Sequence, residues 1–546
     1  MAGNNNKNTW QRRLADFLDP QTKENAEILD IRFGGEKNPV ITGMEYDSRK
    51  VKAGDLFFAF PGLHTDGTKY IEGALKNGAL AIVHNDEFIP GAFDSTFPDA
   101  VYIKVRDSRY AMSAMADSFY DHPSRHLEVI GVTGTEGKST TVYLIYQLLR
   151  LLDHRAGFIS TVMHGDGINE IENPEHQTTP EAVTVHRLLA QMLQNGAEFA
   201  VVEASSHGLS KKTNRLGDVI FDAAVMTNVN HEHLEFHGTW EQYRSDKAEL
   251  FRSLDLNSHG HEKILENSSN TAVPSFGVVN ADDPSAEYLA NATKHKTYTY
   301  STRGARADLK MQLLESGSGG NWYEADAWGK ILNIRDRLPG AFNAGNVLAA
   351  ILAVSQILSA DPGDLADLVP FLKPVRGRMT SVDQGQLFRV IVDYAHTPSS
   401  FNAIFPPLRE QQNKTGKRII SLFGSGGERD TKKRGEQGKI AAQYSDIVIL
   451  SDEDPRNEDP MAILEEIAGG MKSLEGIKSM ERDSSLFLIP DRPQAIRKAF
   501  SLAKPDDIVL LLGKGHENSI IYASKTIPYD EIGEAKTALR EMGYSG

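Results

Sequence analysis

Short apolar runs alternate along most of the chain with longer stretches in which apolar residues recur every three or four positions. Up to about residue 126 the runs are strand-like, as in "GDLFFAF" and "ALAIVHN". From about 127 to 373 apolar strands alternate with helical patterns, and a third zone after "LKPVRGRM" alternates again. Such alternation predicts parallel sheets with helices on both faces. A chain of 546 residues is too long for one core, and two to four domains are expected. The pattern divides it at 1–126, 127–373 and 374–546. "SLDLNSHGHEKILENSSNTAVPS" and "LESGSGGNWYE" are polar or glycine-rich and read as surface insertions. No short-period repeat is found.

In the second and third zones the polar clusters follow the apolar runs. "EVIGV" leads into "TGTEGKST", "EFAVV" into "EASSHG", and "DAAVM" into "TNVNHEHLEFHG". "RVIV" leads into "DYAHTP", "IISLF" into "GSGGERD", "DIVIL" into "SDEDPR", and "DIVLLL" into "GKGHE". Ligands of parallel α/β sheets bind at the carboxyl ends of strands. A polar turn after a strand is common, and explains any one of these loops better than it explains the set. Two sheets with active edges facing one cleft are expected.

Composition narrows the class. A hydrophobic content of 40% and a charged content of 24% are those of a soluble globular protein. The net charge of −15 speaks against a nucleic-acid partner. Without cysteine there are no disulfides or thiolate metal sites. The polar start "MAGNNNKNTWQRRL" is no secretory signal, and no apolar stretch is long enough to span a membrane. A cytoplasmic protein is expected.

"GVTGTEGKST" lies between a strand and the helical "TTVYLIYQLLRLL". Its glycines let main-chain N–H groups turn towards phosphate oxygens, Lys138 adds a cation, and Ser139 or Thr140 offers a hydroxyl to Mg²⁺. Val132 stands where a strict Walker loop has its first glycine. Glu136 is out of place beside phosphates unless it faces away or reaches metal. Glu203 ends one apolar run and His233 follows another, a borderline oxygen-and-imidazole pair for Mg²⁺. Alternatively His231, His233 and His237 are plain loop histidines. Thr239 and Gln242 are spaced as a capping box for a helix carrying Trp240, Tyr243, Lys247, Leu250 and Phe251 on one face. Lys247 there either snorkels to solvent or has its charge altered by modification. "SDEDPRNEDP" is not a calcium loop, because Pro455 and Arg456 occupy ligand positions. An acidic turn and a substrate pocket both remain.

Taken together these stretches resemble the Mur ligases of peptidoglycan synthesis, nearest the MurE type, which adds the third amino acid to UDP-N-acetylmuramoyl-L-alanyl-D-glutamate. "DSRKVKAGDLFFAFPGLHTDG", "GVTGTEGKSTT", "TTP", "EASSHGL", "TNVNHEHLEFHG", "GAFNAGN", "DYAHTP", "GSGGERD", "DEDPR" and "GKGHE" carry the resemblance in order across nearly the whole chain. It implies three α/β domains: a smaller N-terminal UDP-binding domain, a central P-loop-type parallel sheet, and a Rossmann-like C-terminal domain. It implies that Ser48 and Leu63, His64 and Thr65 meet the UDP group, and that Thr178, Thr179, Ser205, Thr213 and Arg215 hold the peptidyl part. Gly134, Thr135, Glu136, Gly137, Lys138, Ser139 and Thr140 would cradle ATP, with Asn343 and Asn346 near adenine and Asp393 and His396 closing over the nucleotide. Mg²⁺ would take Ser139, Glu203, His233 and Lys247 carbamylated to N6-carboxylysine. Arg429, Glu453, Asp454, Pro455, Arg456, Gly513 and Glu517 would receive the amino acid, and the enzyme would act as a monomer.

The implied reaction phosphorylates a substrate carboxylate with ATP, and the amine of a diamino acid then attacks the acyl phosphate. Three departures stand out: Glu136 replaces the family's usual asparagine, the segment before Arg215 is longer by two, and Glu453-Asp454-Pro455-Arg456 replaces Asp-Asn-Pro-Arg. An acceptor-only carboxylate at 454 favours an ammonium over a second carboxylate, hence L-lysine or L-ornithine over meso-diaminopimelate. Arg456 argues the other way, since a guanidinium forks onto carboxylates. Rival readings are a MurF-like or folylpolyglutamate synthetase-like ligase, a P-loop NTPase switch, and a binding protein without activity.

Overall fold

The computed structural model describes residues 10–61, 66–85, 95–173, 175, 177–230, 234–256, 274–317, 320–471 and 480–545. The chain forms two compact units. One is Met1–Lys138 with Ile145–Tyr300 and Ala349–Ala360; the other is Ser139–Leu144 with Ser301–Leu348 and Asp361–Gly546.

The first unit holds two sheets. Five strands run in the order Ile28–Phe33, Val101–Val105, Ala81–His84, Asp55–Phe58, Gly43–Glu45, all parallel except the first. "DLFF" and "AIVH" are buried at every position, as strands covered on both faces must be. The larger sheet centres on Ala156–Ile159, Phe199–Glu203, Glu128–Thr133, Ala223–Met226, Phe276–Asn280 and Thr297–Ser301, all parallel in that order. Met163–Gly165 and Glu170–Glu172 add an antiparallel edge. Helix Ala182–Gln194 explains why "AVTVHRLLAQML" is apolar on more than one side. Its Val185, Leu188, Leu189 and Met192 enter the core of the larger sheet, while Ala182, Val183 and Ala190 enter that of the smaller.

The second unit contains an antiparallel meander, Leu309–Gly317, Gly320–Ala327 and Lys330–Asp336. The described residues of the glycine-rich "LESGSGGNWYE" are therefore no insertion but parts of two paired strands. Asn321, Tyr323, Ala325 and Ala327 are buried in alternation, a period-two signal that the glycines obscure. The main sheet of this unit runs Thr380–Val382, Arg389–Asp393, Ile508–Leu512, Ile419–Phe423, Ile447–Leu450, Leu486–Leu488, parallel but for the first pair. Ile391, Ile419, Leu450 and Leu510 face helices Pro398–Thr415, Lys432–Tyr444 and Pro460–Gly469. Val390, Ile420, Ile449 and Leu511 face Arg492–Leu502 and Glu531–Glu541. Alternate residues of each strand thus serve opposite layers, and the polar residues that follow are left at the sheet's carboxyl edge.

Candidate active site

In the first unit the chain leaves strand Glu128–Thr133 through Gly134 at φ 153° and enters helix Lys138–Leu151 through Gly137 at φ 83°. A Cβ on Gly134 would lie 1.9 Å from Thr227 Oγ1, so only glycine passes there. The loop between is held by the exit of the neighbouring strand. The Asn228 amide accepts from Glu136 N at 2.9 Å and donates to Glu136 O at 3.1 Å, while Thr227 Oγ1 donates to the same carbonyl at 2.6 Å. Asn228 thus grips both main-chain groups of the unusual Glu136. This role was not read from "TNVN", although an asparagine after a buried strand is one signal for it. Gly137 offers no side-chain cap, so the helix N-terminus keeps main-chain donors for an anion. Lys138 Nζ donates to Thr135 O at 2.8 Å. Ser139 is buried and Thr140 half-buried in the first helical turn.

Helix Trp240–Leu254 begins at Thr239, whose hydroxyl accepts from Gln242 N at 3.1 Å. The Gln242 amide donates to Asp246 at 2.9 Å, so only half of the expected capping box forms. Lys247 does not snorkel. It is 1% exposed, donates from Nζ to Gly134 O at 2.6 Å, and lies 4.5 Å over the Tyr243 ring. Tyr243 in turn meets the Thr135 hydroxyl at 2.9 Å. One face of this helix thereby fastens to the phosphate loop.

Glu203 is buried and accepts from Thr161 N at 2.8 Å. Its main-chain carbonyl accepts from Thr179 Oγ1 at 2.8 Å, which lies 2.9 Å from Ser205 Oγ. Arg215 donates to Thr179 O at 2.8 Å and pairs with Glu181 at 2.9 Å. The structure therefore brings together Thr179, Ser205, Arg215 and Glu203, with Thr178 half-buried alongside in sequence. Glu181 was missed. It is 4% exposed and also takes Arg109 at 3.0 Å, a pairing across 72 residues that no local pattern signals. Thr213 does not join the group; its hydroxyl closes a turn on the His207 and Ser210 carbonyls. His237 is a buried structural histidine, bonded to Asp246 at 2.6 Å and Ser206 at 3.1 Å. Burial works against the Asp246 charge, yet bonds from His237 and Gln242 outweigh it and hold its pKa below the ordinary value. Ser48 is half-buried and accepts through its carbonyl from Asn77. His231, His233, Leu63, His64 and Thr65 lie outside the described residues.

In the second unit Asn343 and Asn346 are buried one turn apart. Asn346 donates to Asn343 Oδ1 at 2.8 Å, and Asn343 to Pro339 O at 2.7 Å. Asp393 is committed to main chain, accepting from Met379 N and Ala395 N at 2.7 Å each, and burial raises its pKa. His396 Nδ1 lies 2.9 Å from Tyr394 O. Arg429 is exposed.

The "SDEDPR" and "GKGHE" loops meet closely. Lys514, 0% exposed, pairs with Asp454 at 2.9 Å and Glu517 at 2.5 Å. Burial opposes its charge, but the Glu517 and Asp454 carboxylates outweigh burial and raise its pKa. Asp454 Oδ1 also accepts from Ile521 N at 3.0 Å. The charge argument placed on Asp454 therefore falls, because an internal ammonium already answers it. Two buried carboxylate oxygens of this loop are left without a hydrogen-bond partner, Oδ1 of Asp452 and Oε2 of Glu453, the latter residue 9% exposed. A Cβ on Gly513, at φ 99°, would stand 2.8 Å from Glu453 Oε2. Burial pushes Asp452 up to about 6, and its Oδ2 accepts from Tyr522 OH at 2.9 Å. Pro455 is buried; Arg456 follows at φ 53° and donates to Gly427 O at 3.1 Å.

Among the described residues no three His, Cys, Asp or Glu side chains converge as a metal site, and no helix is long and apolar enough to cross a membrane.

Three families match in sequence order: Mur ligase family, catalytic domain (residues 40–120), Mur ligase middle domain (132–354), and Mur ligase, glutamate ligase domain (377–515). A UDP-N-acetylmuramyl-tripeptide synthetase of Treponema denticola is 50% identical, covering 93% of this chain and 95% of the relative. A UDP-N-acetylmuramoyl-L-alanyl-D-glutamate–2,6-diaminopimelate ligase of Geobacillus kaustophilus is 36% identical, over 94% and 97% of the two chains. A solved ligase of that second kind superposes at a TM-score of 0.56 with 28% identity, covering 92% of this chain and 95% of the other. With three domain families in order and half the residues shared along nearly its whole length, the chain belongs to the Mur ligase family of ATP-dependent ligases.

Proposed function

We propose that the protein adds a diamino acid, L-lysine or L-ornithine, as the third residue of UDP-N-acetylmuramoyl-L-alanyl-D-glutamate, in the cytoplasm and with ATP. The observation that carries this reading is the phosphate loop, pinned by Thr227 and Asn228 and joined to buried Lys247 through Gly134 O. Residues 1–126 would take the UDP group, 127–373 ATP and the peptidyl carboxylate, and 374–546 the amino acid. The matches to 40–120, 132–354 and 377–515 support that division.

The γ-phosphoryl group of ATP passes to the terminal carboxylate of the UDP-linked dipeptide, giving an acyl phosphate. The neutral amine attacks it, and phosphate leaves. Main-chain donors of the loop and Lys138 offset the charge on the phosphoryl oxygens. Thr179, Ser205 and Arg215 would orient the accepting carboxylate, a role that fits their convergence. Ser139 and Glu203 would hold Mg²⁺ as oxygen donors, and a carbamate on Lys247 would add a further oxygen, with His233, outside the described residues, as the remaining candidate. The Lys247 position fits that modification, since a carbamate keeps one N–H to donate to Gly134 O. Bound there, Mg²⁺ would supply charge neutralisation.

The unpartnered, buried Glu453 Oε2 supports the side-chain ammonium of lysine or ornithine. A second reading, meso-diaminopimelate, is favoured by the Arg456 guanidinium. Phosphate release measured with the UDP-dipeptide and ATP, with each amino acid in turn, tests the proposal. Release is expected to need both acceptor and amino acid and to be fastest with lysine or ornithine. Release indifferent to both defeats it; a strong preference for diaminopimelate selects the second reading.

A further inference from the structure

The fully buried pair Arg492–Glu531 has no part in the chemistry above. Both side chains are 0% exposed, and the guanidinium forks onto the carboxylate, from Nη2 at 2.6 Å and Nε at 2.9 Å. A buried ion pair is weak evidence for stability, because desolvation cancels much of its attraction. The informative part is where the remaining donors go. Arg492 Nη1 donates to Asp452 O at 3.0 Å and Nη2 to Leu512 O at 2.7 Å.

These two carbonyls immediately precede Glu453 and Gly513, which lie so close that a Cβ on Gly513 would stand 2.8 Å from Glu453 Oε2. They belong to strand ends that do not pair with each other. Ile419–Phe423 lies between Ile447–Leu450 and Ile508–Leu512 in the sheet, so no ladder bond sets their separation at the tip. The middle strand leaves through Gly424, where a Cβ would be 2.1 Å from Ser451 O, so the loop after Ile447–Leu450 passes close against it. One planar guanidinium spans that gap. Glu531 fixes the guanidinium in turn, and it is held by Tyr529 OH at 2.5 Å, just after the hairpin Ser519–Ile521 and Thr526–Pro528. That hairpin returns to the pocket through Ile521 N on Asp454 and Tyr522 OH on Asp452. Loop, loop and hairpin share one buried cation.

We propose that Arg492, braced by Glu531, is a positioning residue that sets the spacing of the 451–456 and 513–517 loops and so the fit of the incoming amino acid, without touching it. The proposal rests on the reading of these loops as the amino-acid pocket. Lysine cannot replace the fork, since a single ammonium lacks the planar set of donors that reaches two carbonyls and a carboxylate together.

Steady-state kinetics of the full-length protein and of Arg492→Lys test it, with KM measured for amino acid, ATP and UDP-dipeptide separately. The amino-acid KM is expected to rise about tenfold or more, since misplacement near 1 Å costs on that order or beyond. The other two KM values should stay within about twofold, and kcat at saturating amino acid should fall less than kcat/KM. Should Arg492→Lys not fold, Glu531→Gln keeps the size of the side chain but turns one of its two accepting oxygens into a donor, and should raise the same KM about threefold. An unchanged amino-acid KM, or equal shifts in all three, overturns the positioning role. If wild-type turnover does not depend on an amino acid, it is the pocket reading that fails.

Discussion

The phosphate loop of the first unit and the acidic pocket of the second both stand at carboxyl ends of parallel strands, yet they are built from different material. The phosphate loop is main chain gripped mostly by neutral side chains, Asn228 and Thr227 on Glu136 and Tyr243 on Thr135, with Lys247 on Gly134 O and Lys138 on Thr135 O as its cations and no carboxylate among them. The pocket is framed by charges that answer one another: Lys514 between Asp454 and Glu517, Arg492 on Glu531. A neutral frame leaves the local field to the phosphates and their counter-charges. An ionic frame answers part of its own charge: Lys514 stands between two carboxylates, and Asp452, Glu453 and Arg456 remain beside them. Counting acids in "SDEDPR" therefore says little about what the pocket attracts.

The largest expected effect falls on the ionic frame. Lys514→Met leaves Asp454 and Glu517 buried without their counter-charge, which should cost about 3–5 kcal/mol, read by denaturant unfolding of the full chain. Adding Asp454→Asn should recover part of it; no recovery would mean that the two do not form a frame. Next comes the neutral frame. Gly134→Ala places a methyl 1.9 Å from Thr227 Oγ1. It should lower ATP-dependent phosphate release by a factor on the order of 10² through misplaced phosphate, with a smaller loss of stability, about 1–3 kcal/mol. A variant as active as wild type would show that the loop adjusts.

The smallest effect separates the frames by pH. His164, on strand Met163–Gly165 next to the edge of the larger sheet, is pushed down to about 4 by burial. The neighbouring Asn173 amide donates to Ser160 O and Thr161 O, and Thr161 N is the donor to Glu203. A depressed histidine pKa contributes stability that is complete above the unfolded value near 6.5 and is lost as pH falls towards 4. His164→Gln should remove about 2 kcal/mol of the stability lost between pH 7 and pH 5. An identical pH slope in the variant would take His164 out of the account.

Legibility followed the same divide. "GTEGKST" carries its conformation in its own glycines, so strand, loop and helix were readable together. The strands "DIVIL" and "DIVLLL" were readable as buried runs, and "LESGSGGNWYE" was misread because its glycines hid the alternation of the strand Gly320–Ala327. Lys514 lay in plain view within "GKGHE", but its partner Asp454 is 60 residues away, and Arg492 meets Glu531 across 39. Pairings of that reach leave no periodic trace.

The sequence alone determined which segments are strands and helices, where the polar edges lie, and which loop can curl around phosphate, because these depend on periodicity and on glycine's backbone freedom. Tertiary structure decided which charges remain to be used. It folded Lys247 onto Gly134 instead of letting it reach solvent, gave Lys514 to Asp454, and left one oxygen each of Asp452 and Glu453 buried without a hydrogen bond. The electrostatics of a buried site is set by the nearest opposite charge, and here that charge comes from distant parts of the chain.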